Sequence, residues 1–222
     1  MPRTYTEEKT VYAFSELSDK AKQKALDYFR EGACTDSWWH DAIFEDCARI
    51  FDILGIVSHR VERWHNCTTG KSGSREVKPD ISFSGFWSQG DGASFEGTWY
   101  YRRGMAKAMR AYAPQDSELQ EIAEGLQEMQ RRTFYKLSAR IVRTDSHYCH
   151  ENTVGFEFEI DGDSWRAISE DVTGGVENYM RRLMRWIYRQ LEAEYNYQTS
   201  DEAIMETIDA NEYEFEASGA LV

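Results

Sequence analysis

From Gln190 to Val222 there is neither a lysine nor an arginine, yet nine acids fall there: Glu192, Glu194, Asp201, Glu202, Glu206, Asp209, Glu212, Glu214 and Glu216. The whole chain carries a formal charge of −13, so this end holds most of the excess. A segment without cations argues against direct nucleic-acid binding, because phosphate contacts need a basic surface. It fits a basic protein partner, including one that itself binds nucleic acid; the alternative is a solvated acidic face that only aids solubility. The candidate partner-binding residues in this stretch are Glu206, Asp209, Glu212 and Glu214.

Other absences narrow the class further. No apolar run approaches the roughly 18 residues that read as a membrane span, and Met1 to Thr10 is polar, without the apolar core of a signal peptide. A cytoplasmic protein with no membrane partner is expected. The four cysteines (Cys34, Cys47, Cys67 and Cys149) include no CxxC pair, which suits free thiols in a reducing compartment. Gly70-Lys71-Ser72 resembles the end of a phosphate-binding loop, but position 65, where that loop needs glycine, is His65. Gly90-x-Gly92 lacks the third glycine of a dinucleotide fingerprint, since position 95 is Phe95. No cofactor is expected on these grounds.

What is present is ample aromatic and apolar material, 14% and 41% of 222 residues, enough for a real core in a single domain over 1–222. A short strand is expected at 10–14. Ser18 can cap a helix to Glu31, and a second helix from Thr35 or Asp36 to Leu54 carries the stripe Trp39, Ile43, Cys47, Ile50, Leu54. A strand over 56–65 precedes a Gly/Ser/Thr-rich flexible loop at 66–80. Two hairpins follow, 81–87 with 93–101 and 135–143 with 154–160. Helices at 105–112 and 117–132 stand between them, the second opened by a Ser117-x-x-Gln120 capping box. A long helix over 175–197, a helix capped by Thr199-x-x-Glu202 and an edge strand at 213–216 close the chain. The order predicts an α+β fold, an antiparallel sheet built from two hairpins and packed against paired helices.

Three clusters invite chemistry. The turn Trp87, Ser88, Gln89, Asp91 is either a ligand- or partner-binding loop on a rigid hairpin or a tight reversal in which Asp91 serves turn geometry. His147, Cys149 and His150 bring two imidazoles and a thiol together, a candidate metal set without a fourth ligand in sequence; otherwise they form a locally hydrogen-bonded loop. Arg181, Arg185 and Arg189 line one helix face and are expected to pair with the acidic C-terminal helix. The adjacent His40-Asp41 pair has no nucleophile placed beside it.

The blocks Phe14-Ser15-Glu16-Leu17-Ser18, Phe83-Ser84-Gly85-Phe86-Trp87-Ser88-Gln89-Gly90-Asp91-Gly92-Ala93-Ser94-Phe95, His147-Tyr148-Cys149-His150, and Thr199-Ser200-Asp201-Glu202 with Ala210-Asn211-Glu212-Tyr213-Glu214-Phe215 resemble a family of tailed-bacteriophage proteins, some labelled antitoxin of a toxin–antitoxin stability system. The resemblance implies a phage accessory protein in a bacterial cytoplasm and supplies no catalytic residues. Together with the charge, it leads to the expectation of a non-enzymatic protein that binds and neutralises a host defence or toxin protein through its acidic surface. The alternative is a metal- or small-ligand-dependent enzyme, with a site formed by the 88–91 turn and the 147–150 loop.

Overall fold

The computed structural model describes residues 8–35, 37–58, 60–65, 72–77, 79–144, 148–162 and 168–222. In chain order the strands are β1 (Tyr12–Ala13), β2 (Ile56–Val57), β3 (Arg60–His65), β4 (Ser72–Val77), β5 (Ile81–Phe83), β6 (Ala93–Phe95), β7 (Gly97–Trp99), β8 (Leu137–Arg143), β9 (Val154–Ile160) and β10 (Glu214–Phe215). The helices are α1 (Asp19–Gly32), α2 (Asp41–Leu54), α3 (Met105–Tyr112), α4 (Ser117–Arg132), α5 (Glu170–Gln198) and α6 (Asp201–Ala210). Every strand pairing is antiparallel, and the protein has an α+β fold. No helix among the described residues is long and apolar enough to cross a membrane. Two compact units form, one from residues up to His40 together with Ala193–Val222, the other from Asp41–Glu192.

The first unit is built on α1 and α6. Ser18 caps α1 by accepting the Ala21 N–H, and Ala21, Ala25 and Leu26 fall on the buried side at helical spacing. These residues join Phe14, Leu17, Ile204, Ile208 and Phe215 in one apolar cluster. The ladder of β1 on β10, with Tyr12 opposite Phe215, ties the two chain segments together. Helix α6 is capped by Ser200, whose hydroxyl accepts the Ala203 N–H, rather than by Thr199; the Thr199 hydroxyl instead donates to the Tyr195 carbonyl.

The second unit holds a four-stranded sheet in the order β2-β7-β8-β9 and two separate ladders, β3-β4 and β5-β6. Helix α2 buries Cys47, Ile50, Phe51 and Leu54. Its last carbonyl, on Leu54, accepts the buried Trp99 indole N–H at 3.0 Å, and Phe51 packs on Phe95 with ring centroids 4.6 Å apart. Gly55 then turns the chain in the left-handed region, φ 81°, and its carbonyl accepts the Tyr100 N–H at 2.9 Å.

Several sequence expectations change in detail. The expected first hairpin pairs only over Ile81–Phe83 with Ala93–Phe95, and Gly97–Trp99 belongs instead to the four-stranded sheet. The strand switches ladder at Glu96, whose N–H donates to the Asp80 carbonyl and whose carboxylate accepts from Arg143. Ser72–Val77, expected as loop, pairs with Arg60–His65 as β4, while residues 66–71 and 78 lie outside the described residues. Ahead of α2, Ser37–His40 forms a 3-10 turn. The cap of α4 is Asp116, whose carboxylate accepts the Leu119 N–H at 2.9 Å; Gln120 turns away to donate to the Ala113 carbonyl. Helix α5 begins at Glu170 rather than 175, with Glu170 and Asp171 in its first turn, where negative charge suits the helix dipole.

Candidate functional site

Helix α6 buries Ala203, Ile204 and Ile208 and turns Glu202, Glu206 and Asp209 to solvent. Beyond its end the chain reverses through Glu212, which sits in the left-handed region at φ 53°. There the Tyr213 N–H returns to the Ile208 carbonyl at 3.2 Å. An L-residue pays conformational strain at such a φ that glycine would escape. The reversal delivers Glu212 and Glu214 to the same unit's surface, both exposed. A groove of about 420 Å³ between β1 and the end of α6 is lined by Glu16, Asp209, Glu212 and Glu214 together with apolar and aromatic residues, and by no cation among the described residues.

The arginine row is paired within its own unit. Arg181 pairs with Glu177 at 3.3 Å, Arg185 with Glu151 at 3.3 Å and Arg189 with Glu118, all within the second unit. The expectation that the row pairs with the C-terminal helix is therefore corrected: those guanidiniums are held by carboxylates on α4, α5 and the β8–β9 connection. Among the described residues, Asp201 is the one acid after Gln190 with a cationic partner, Arg30. Arg30 also grips Asp27 and donates to the Thr199 carbonyl, so its charge is spent locally. Glu206, Asp209, Glu212 and Glu214 keep their charge uncompensated by any ion pair among the described residues.

In the second unit the turn and the histidine loop come together. A Cβ added at Gly92 would meet the Cα of His150 at 3.0 Å, and one at Gly90 would meet the Tyr148 ring at 3.7 Å. Asp91 accepts the Trp87 N–H at 2.9 Å and the Ser88 N–H at 2.6 Å. The Ser88 bond, with those from Trp87 and Ser84, holds its carboxyl below the usual range. Asp91 thus builds the turn through Oδ2. Trp87 is 78% exposed, with Ser88 and Gln89 exposed beside it. The Tyr188 hydroxyl donates to the Gly85 carbonyl at 3.0 Å; burial, with Asp91 and Glu192 nearby, pushes its phenol up.

His150 uses Nδ1 to accept the Asn152 N–H at 3.1 Å, capping the 3-10 turn Glu151–Thr153. That nitrogen is occupied by structure. Cys149 is a half-buried free thiol, and His147 lies outside the described residues. No group of three His, Cys, Asp or Glu side chains that would hold a metal occurs among the described residues.

Sequence reasoning missed a further polar cluster. Arg143 donates to Glu96 at 2.7 Å, to the buried Asp80 at 3.4 Å and to Ser82. Ser58 links the same carboxylate-bearing segments, donating to the Glu96 carbonyl at 2.5 Å and accepting the Asp80 N–H at 3.0 Å. These residues lie on four separate segments of the chain, so no local spacing announces them. The cluster bridges the ladder switch at Glu96 to β5 and β8.

The architecture defines an α+β protein with two built surfaces, an uncompensated acidic face and an aromatic turn braced by a histidine loop. The chain belongs to the family described as a domain of unknown function (DUF8835), whose model matches residues 39–201. No curated protein and no solved structure matches it. The aromatic turn and the histidine loop lie within the matched residues; Glu206, Asp209, Glu212 and Glu214 lie beyond them.

Proposed function

We propose that this protein is a binding protein, an accessory product of a tailed bacteriophage that acts in the bacterial cytoplasm by engaging and neutralising a basic host protein, such as a defence nuclease or a toxin. The observation that carries this reading is that Glu206, Asp209, Glu212 and Glu214 make no ion pair among the described residues, while Arg30, Arg181, Arg185 and Arg189 are held by other carboxylates. Such a face steers a basic partner into encounter and renders its association sensitive to salt. The phage origin rests on the sequence blocks around the aromatic turn and Glu212 to Phe215.

The test is association with a panel of basic host nucleases and toxins at low and high salt, comparing the wild type with the Glu206→Gln, Asp209→Asn, Glu212→Gln, Glu214→Gln variant. Binding that weakens at least tenfold in the variant supports the reading. Equal binding by both proteins to every partner found would remove the acidic face from the function.

A second reading, a metal- or ligand-dependent site at the turn, is favoured by the contact of Gly92 with His150. Its readout is quenching of Trp87 fluorescence by small ligands or divalent metals, compared with a Trp87→Phe control. Absence of any saturable change leaves the turn a structural reversal.

A further inference from the structure

We infer that the first unit takes a cationic segment with interspersed apolar side chains, seated in an aromatic groove against Tyr28, Phe29 and Tyr213; this rests on the acidic-face reading and names the chemistry of its partner. Sharing Tyr213 with the first groove is a second one, about 530 Å³, lined by Tyr28, Phe29, Glu31, Ile204 and Tyr213 among others, again with no lysine or arginine among the described residues. Tyr213 is the shared wall of the two grooves. Its ring leans on Phe29 with centroids 5.1 Å apart, and Phe29 meets Tyr28 edge-on at 5.6 Å. The core fixes this row, because Phe29 also packs on the fully buried Phe215.

Two unlike surfaces therefore adjoin at one side chain. One sets four acids among apolar and aromatic residues of β1 and α6, the other offers aromatic faces and the aliphatic Ile204 beside a single acid, Glu31. Tyr28 stands 59% exposed, although it sits beside a buried cluster that covers its neighbours Ala25 and Leu26. An anion would be repelled from both grooves, and a purely apolar segment would leave the carboxylate rim unused. A lysine- or arginine-bearing segment satisfies both halves: its long aliphatic stems lie on the rings, its charged ends reach the tyrosine faces and the carboxylates, and its apolar side chains enter the floor. The nearest cation of α1, Arg30, does not compete for this position, being held by Asp27 and Asp201.

The experiment uses the full chain and two fluorescent twelve-residue peptides of equal charge, one alternating lysine with leucine, the other alternating lysine with serine, in anisotropy titrations at low salt. The leucine peptide is expected to bind about tenfold more tightly, a difference worth about 1.4 kcal/mol. Tyr213→Ala and, separately, the rim variant Tyr28→Ser are expected to bring the leucine peptide to the level of the serine peptide. The rim variant touches little of the core, so it reports even where Tyr213→Ala loosens the fold. Neutralising Glu206, Asp209, Glu212 and Glu214 is expected to weaken both peptides alike. Equal binding of the two peptides, or a preference unmoved by Tyr28→Ser in a folded protein, overturns the groove and leaves the acidic face standing. If neither peptide binds, or charge neutralisation changes nothing, the acidic face falls as well.

Discussion

The ring of Tyr179 on α5 lies directly over Gly125 on α4, in the space that a Cβ at Gly125 would need. An alanine there would be favoured by helix propensity alone, by about 1 kcal/mol. The overlap reverses that sign. We expect Gly125→Ala to destabilise the protein by about 1–2 kcal/mol, as overpacked sites do. Adding Tyr179→Ala should restore part of the loss, so that the double variant is more stable than the sum of the two single effects. Urea unfolding of the four proteins measures it; additive losses would mean the helices separate freely at this point.

Asp116 and Ser117 give opposite answers to one substitution. The Asp116 carboxylate accepts the Leu119 N–H and, at 2.7 Å, the Trp186 indole N–H. Asp116→Ala removes a helix cap and strands a partly buried donor, a loss of about 1–2 kcal/mol. Ser117→Ala, at the position the sequence pattern marks as the cap, should change stability by less than about 0.5 kcal/mol.

Acid should weaken the Arg143 cluster. Burial alone would raise the Glu96 carboxyl, but the hydrogen bonds and charge of Arg143 outweigh it and hold the group below its usual 4.5. The stability it contributes is complete above that value and is lost as pH falls through the lowered folded value. Arg143→Met should cost about 3 kcal/mol at neutral pH, because Asp80 and Glu96 are left without their cation. The penalty should shrink as pH drops below 4.5. Denaturation midpoints of both proteins at neutral and acidic pH test the sign.

Cys47 is 1% exposed, and burial, with Asp46 beside it, pushes its thiol up to about 12. Iodoacetamide at pH 8 should leave Cys47 unmodified in the native protein and alkylate it once the chain is unfolded, as read by peptide mass spectrometry. Rapid native labelling would show that α2 opens readily.

Glu212 separates stability from binding. Glycine at its left-handed position is easier for the backbone by about 1 kcal/mol. Glu212→Gly should therefore raise the unfolding midpoint while weakening a cationic partner. A variant that is both less stable and equally competent in binding would contradict the surface role given to this residue.

Much of the fold could be read from the chain because its signals are local. Ser18 and the four-residue spacing of Ala21 and Ala25 announce α1, and the alternation from Leu137 onward announces the β8–β9 pair, whose registered partners run from Leu137–Ile160 to Arg143–Val154. The errors cluster where distant residues decide. The strand break at Glu96 depends on Arg143, and the true cap of α4 is chosen by a carboxylate that also serves Trp186. The acidic character of the C-terminal surface was legible from composition. That its acids would escape the arginine row was not, because Glu118 and Glu151 capture those side chains through folding. The grooves at Tyr213 were hidden for the same reason, since Tyr28 and Tyr213 meet only when the two ends of the chain do.

That meeting has a consequence for synthesis. Leu17, Ala21 and Leu26 emerge from the ribosome long before Ile204, Ile208 and Phe215, which share their apolar cluster. During translation α1 therefore waits, its apolar side uncovered, until α6 and β10 have been made. Chaperones that shield nascent apolar segments would engage this protein at α1, and a stop before Phe215 would leave that helix without its cover.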